Sequence, residues 1–306
     1  PKALRFTLFG LLYFTQGTIL GYFAALNALY LLANGLDMAD VGVFSSIALI
    51  PFVIKILFGF LSDRYALFGM GHRKPYILVG LAVQVVSLVL VPFIDLKSGY
   101  WLFVGVAFVL QMGMALYDTC TDGLALDTVP EEEEGTIQAI MVGGRALGLV
   151  LTAPLVGLLA EYVGWNWVFW SMAITTLFPL PLVLGIHAEK KETTTKFNWG
   201  AFRSFKDKYV VAIALVGFVF FAVYAGVNAI VNLSLEMRFA GEFNKAVAGL
   251  VSAVLGSGII LGGIFGGRVL DRLGKQKAIW AALLTSLTAC LVFAFIPNPG
   301  WAWGVV

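Results

Sequence analysis

Apolar residues run along this chain in long unbroken blocks, and polar or turn-forming residues are confined to short gaps between them. Crossing the hydrocarbon core of a bilayer takes roughly 20 consecutive, mostly apolar residues. By that measure the pattern predicts nine helices, at about 6–33, 41–62, 75–95, 100–126, 136–160, 165–187, 209–235, 246–270 and 277–296. A tenth begins near Trp301, so the chain is expected to stop soon after its ninth helix. The gaps carry turn chemistry or charge: Asn34-Gly35, Gly71 to Pro75, Asp95 to Gly99, Pro130 to Gly135 and Pro297 to Gly300. A β-barrel would need short alternating segments, whereas these runs are continuously apolar. The expected class is an all-α membrane protein.

Composition points the same way. Hydrophobic residues make up 60% of the chain, charged residues 12%, and mean hydropathy is +0.91. Soluble domains carry roughly 25% charged residues, and half that density cannot clothe a water-facing surface. The net charge of +2 says nothing about partners, and no basic stripe suggests nucleic acid, so none is expected. Cys120 and Cys290 lie in apolar stretches and read as small core residues, not as a disulfide or metal pair. His72 and His187 sit at loop edges and form no metal cluster. No nucleophile–base set or cofactor motif appears, so neither an enzyme nor a bound cofactor is expected. The run from Phe6 to Leu32 exceeds a signal-peptide core and lacks a small-residue cleavage site, so it reads as a retained helix. Pro1 is no initiator methionine, and the start is expected to be trimmed.

Lysine and arginine set the expected orientation. With a cytoplasmic N-terminus, 15 of the 20 basic residues fall on the cytoplasmic side. Only Lys97, Arg238 and Lys245 fall opposite, and Lys55 and Arg145 lie within helices. The longest polar stretch, His187 to Lys208, follows the sixth helix. The expected division is a six-helix bundle at 1–187, a cytoplasmic linker at 188–208, and a partial second bundle at 209–306.

A short motif recurs across that division. Gly59-Phe60-Leu61-Ser62-Asp63-Arg64, closed by His72-Arg73-Lys74, sits between helices two and three. Gly267-Arg268-Val269-Leu270-Asp271-Arg272, followed by Gly274, sits between helices eight and nine. Asp63 and Asp271 are six helices apart, and parallel six-helix repeats build one large class of transporter. Anchoring at anionic lipid explains one basic loop but not the same Gly-x-x-x-Asp-Arg pattern twice in register.

With this loop the chain resembles the major facilitator superfamily. It is most similar there to the folate–biopterin transporter and muropeptide/acetyl-CoA permease group. Tyr13-Phe14-Thr15-Gln16-Gly17, Pro51-Phe52-Val53-Ile54-Lys55, Asp118-x-x-x-Asp122 and Gly144-Arg145-Ala146-Leu147-Gly148 carry that likeness. Sucrose-type sugar–proton symporters share a similar loop. The resemblance implies a major facilitator fold of two six-helix bundles, the second truncated here. It also implies that Gly59, Asp63, Arg64, Arg73, Lys74, Gly267, Asp271, Arg272 and Gly274 form cytoplasmic gating loops.

Charges inside the spans are the candidate chemistry. Each costs roughly 2.5–3.5 kcal/mol to insert near mid-bilayer, so each needs a partner or a purpose. Asp118 and Asp122 are one turn apart in helix four, hence on one face. Arg145 in helix five and Asp118 lie about equally far from the intervening turn, so an ion pair between them is geometrically reasonable. Lys55 lies in helix two, roughly 12 Å inward of Asp63. Asp127 reads as a cap or loop partner. The expected substrate and proton-coupling residues are Lys55, Asp118, Asp122 and Arg145, with Gln16 added by the family pattern. The expectation is a monomeric, multi-pass inner-membrane transporter of a small solute, driven by protons or sodium. The alternatives are a structural Asp–Arg tie for the site and, for the function, a non-transporting assembly or delivery factor or a sugar–proton symporter.

Overall fold

A computed structural model describes residues 2–186, 206–239 and 244–295, and every element in them is helical. The helices are α1 (Lys2–Ala25), α2 (Asn27–Ala33), α3 (Met38–Ile54), α4 (Ile56–Arg64), α5 (Lys74–Leu90) and α6 (Leu96–Thr128). They continue with α7 (Glu134–Tyr162), α8 (Trp165–Thr176), α9 (Leu180–Gly185), α10 (Lys208–Arg238), α11 (Lys245–Leu273) and α12 (Lys275–Ala294). Eight stretches of the described residues are long and apolar enough to cross a membrane. The seventh expected span is α10, 31 residues long.

Three spans that the apolar pattern reads as single helices are broken. The first breaks at Leu26, where φ is −127° and ψ −18°. The second breaks at Lys55, four residues after Pro51, whose missing N–H leaves the Ile47 carbonyl without its helical donor. The sixth breaks between Thr176 and Leu180, beside Pro179 and Pro181. Hydrophobicity reports the length of a span and is blind to a local interruption inside it. Helix starts follow the expected chemistry: Asp37 and Asp40 form a capping box on α3, and Asp95 accepts from the Lys97 N–H at α6.

Apolar side chains gain nothing by leaving lipid for one another, so close backbone approach must hold the spans together. A Cβ added at Gly17 of α1 would sit 2.9 Å from both the Arg145 carbonyl carbon and the Gly148 Cα of α7. Gly80 of α5 and Gly113 of α6 make an equivalent contact, each facing the other's carbonyl oxygen. Gly157 of α7 likewise lies on the backbone of α11 at Lys245 and Gly249. Not every glycine of these runs packs: Gly143 and Gly262 have open space around them. Cys120 is buried as expected, but Cys290 is exposed on α12 and is not a core residue.

Lys2 and Arg5 pair with Glu133, tying the start of α1 to the start of α7. Burial pushes the Glu133 carboxyl up, but the bonds from Lys2 and Arg5 outweigh it and hold its pKa below the ordinary value. This end of the first six spans is the near face below; α1 and α7 both run from it to the far face.

Candidate functional site

About two thirds of the way along α6, Asp118 is the buried centre of a polar cluster drawn from four spans. Gln16 of α1 donates Nε2–H to Asp118 Oδ1 at 2.6 Å. Lys55, at the α3–α4 break, reaches Asp118 Oδ2 at 3.2 Å, and Arg145 of α7 lies 3.4 Å from Oδ1. Arg145 also donates to the Gln16 side-chain oxygen. One turn along α6, Asp122 accepts from the Tyr13 hydroxyl, and the Arg145 guanidinium lies 4.7 Å from the Tyr13 ring centroid. All five residues singled out from sequence therefore meet, and Lys55 turns to Asp118 instead of reaching for the membrane surface.

Exposure within the cluster is uneven in an informative way. The Asp118 side chain is 8% exposed, while those of Lys55 and Arg145 are 43% and 41% exposed. Charges amid spans need water or polar partners, and here the buried carboxylate backs two cations that each keep an exposed side.

A small pocket lies among Tyr22, Asn27, Phe44, Phe103 and Phe169, away from the cluster. Its volume of about 20 Å³ would hold roughly one water molecule, too little for an organic solute.

At the near face, Arg73 is the hub of the first loop. Its guanidinium pairs with Asp63 of α4 at 2.5 Å and Asp127 of α6 at 3.1 Å, and donates to Ser62 Oγ at 2.6 Å. Burial works against the Arg73 charge, but the bond to Asp127 and the charges of Asp63 and Asp127 prevail and raise its pKa. Lys74 donates to the Leu184 and Ile186 carbonyls at the end of α9. Arg64 stacks on Tyr65. Gly59 is no tight crossing, since an added Cβ would meet Thr119 at an ordinary 3.5 Å. In the second loop Gly274 has φ +77°, a conformation that favours glycine, and Arg272 is exposed. The Asp271 side chain and the surroundings of Gly267 lie outside the described residues, as does His187.

Asp63 is 59% exposed and Asp127 25%, so the two pairs should differ in weight. Asp127→Asn is expected to cost roughly 1–2 kcal/mol and Asp63→Asn less than about 0.5 kcal/mol. Thermal unfolding in detergent checks this; equal effects would show that exposure does not grade the loop.

Sequence reading missed Tyr13 as a site residue although it lies in a quoted motif, because an aromatic in an apolar helix reads as packing. It missed Ser62, although the residue stands in the repeated loop motif, because a serine beside a helix end is ordinary there.

A bundle of long apolar helices with a polar cluster shared among their middles defines a multi-pass integral membrane protein. The Major Facilitator Superfamily profile matches residues 7–306, and the chain belongs to that family of transporters, which are not enzymes. It is 24% identical to the anhydromuropeptide permease of Escherichia coli, over 87% of this chain and 55% of that protein. It is 26% identical to the folate-biopterin transporter of Synechocystis, over 96% of this chain and 60% of that protein. The chain thus spans little more than half the length of these two curated relatives. Among solved structures, the nucleoside transporter NupG superposes with a TM-score of 0.73 at 14% identity, over 99% of this chain and 77% of that one. A D-xylose-proton symporter gives 0.65 at 17% identity, over 88% of this chain and 68% of that one. These two likenesses are of fold.

Proposed function

We propose that the chain forms the larger part of a secondary active transporter that carries a small organic anion or zwitterion by alternating access, coupled to protons. The observation that carries this reading is the buried Asp118 carboxylate backed between two half-exposed cations. Two cations and two carboxylates make the cluster neutral. A solute carboxylate that engages Lys55 and Arg145 adds one negative charge to it. Protonating Asp118 or Asp122 restores neutrality, so each ligand favours the other's binding. Gln16 and Tyr13 hold the two carboxylates in place through the exchange.

On this reading residues 1–187 and 209–306 are parts of two bundles that rock about the site, joined by a cytoplasmic linker at 188–208. The protein works as a monomer. A non-transporting assembly factor of the same fold would have no use for half-exposed cations at the centre of its spans.

The test is uptake into proteoliposomes with and without an inward proton gradient, using anhydromuropeptide, sialic acid and folate as the panel. Gradient-stimulated uptake of at least one solute is expected, with loss in Lys55→Met. Uptake indifferent to both the gradient and Lys55→Met would refute the reading; stimulation by a sodium gradient alone would reassign the coupling ion.

A further inference from the structure

At the far face one buried amide ties the two groups of helices together. Asn232 lies 24 residues into α10, near its far end, and is buried. Its Nδ2 donates to the Ala24 carbonyl at 3.0 Å and approaches the Ala25 carbonyl at 3.3 Å, at the end of α1 beside the Leu26 break. The same nitrogen lies 2.8 Å from Ser252 Oγ of α11. One amide group therefore joins α1, α10 and α11. Glu161 at the end of α7 lies 3.7 Å from Lys245 at the start of α11, on the same face.

The opposite end of α10 is different. Val231, Leu233 and Leu235 are buried, while Val210, Val211, Leu215, Val216, Phe218 and Val219 are exposed around the helix. The far ends of α1, α10 and α11 are thus closed on one another, and alternating access requires that such contacts part in one of its two end states.

We infer that Asn232 is the latch of the far mouth, a positioning residue whose bonds to the end of α1 hold this state against its outward-open counterpart. The inference rests on the alternating-access reading above but concerns a residue remote from the charged cluster. Two features suit an amide to the task. It bonds to backbone carbonyls, which cannot rotate out of reach, and it carries no charge, so its release needs no change of protonation. Among the described residues its buried Oδ1 has no partner. An unpaired buried acceptor costs free energy, which keeps the latch weak enough to open in each cycle.

Spin-label pairs on the full chain test this, with Cys120 and Cys290 replaced by serine. The far pair is Met38 and Met237; the near pair is Tyr65 and Val211, all four exposed. In Asn232→Leu, which keeps the volume and removes the donors, far-pair distances should lengthen while near-pair distances shorten. The open-to-closed ratio should rise roughly tenfold for the loss of about one buried hydrogen bond. Ser252→Ala, which leaves the α1 bonds intact, should give a smaller shift in the same sense. Unchanged distributions in Asn232→Leu overturn the inference. Lengthening of both pairs also overturns it, since that reports loosened packing. If the distances exchange as expected but no solute is transported, the latch stands and the solute reading fails.

Discussion

Asp118→Asn is expected to abolish proton-driven accumulation while leaving exchange of unlabelled for labelled solute across the membrane. The amide keeps a carbonyl oxygen for the Gln16 side chain, so the local geometry survives. What it loses is the exchangeable proton and the charge that faces Lys55 and Arg145. Those cations then hold the solute carboxylate without competition, and solute affinity should rise rather than fall. Removing one partner of a buried ion pair costs roughly 3–5 kcal/mol. Both cations here are more than 40% exposed, so a stability loss of about 1–2 kcal/mol is the discounted expectation. Counterflow and gradient-driven uptake, measured side by side in proteoliposomes, separate the two effects. Accumulation that persists in Asp118→Asn and in Asp122→Asn would end the assignment of either carboxylate as proton carrier. Loss of both exchange and accumulation in a folded variant would place Asp118 in solute binding instead.

The second large effect is expected at a residue with no side chain. Gly17→Val should cost about 3 kcal/mol or more, because overpacking at this crossing cannot relax by side-chain rotation. The atoms met by a new Cβ are backbone atoms of Arg145 and Gly148, so α1 and α7 must separate. Gln16 and Arg145, which flank the contact, would move apart with them and the polar cluster would open. Gly143→Ala is the matched control, since its Cβ would meet nothing within 4 Å; its effect should stay within about 0.5 kcal/mol. Unfolding in detergent and gradient-driven uptake report the two consequences. Equal tolerance of the two changes would show that the α1–α7 crossing does not depend on backbone approach.

Legibility in the sequence followed how local each signal was. Span number and length came from unbroken apolar runs: the nine expected spans have helical counterparts among the described residues, and the start of a tenth near Trp301 lies outside them. The Asp118–Arg145 pairing was legible because both lie at similar distances from one short turn, which fixes their depths. Lys55 was ambiguous: a lysine near a span end can reach the surface along its own stem. Only the packing of α3 and α4 against α6 turns it to Asp118. The tight glycines could not be told from the loose ones: Gly143 and Gly144 are adjacent, yet only Gly144 meets the backbone of α1.

Composition and periodicity by themselves determined that this chain lives in a membrane, how many times its helices can cross, and which charges would need partners there. Those properties depend on transfer energies summed over neighbouring residues, and neighbours in sequence are enough to compute them. Tertiary structure decided the rest: that Tyr13 anchors Asp122, that Arg73 bridges Asp63 and Asp127, and that Asn232 reaches the broken end of α1. Each of those contacts joins separate helices, as far as 208 residues apart for Asn232 and Ala24. No local preference specifies them, and they exist only once the helices have packed.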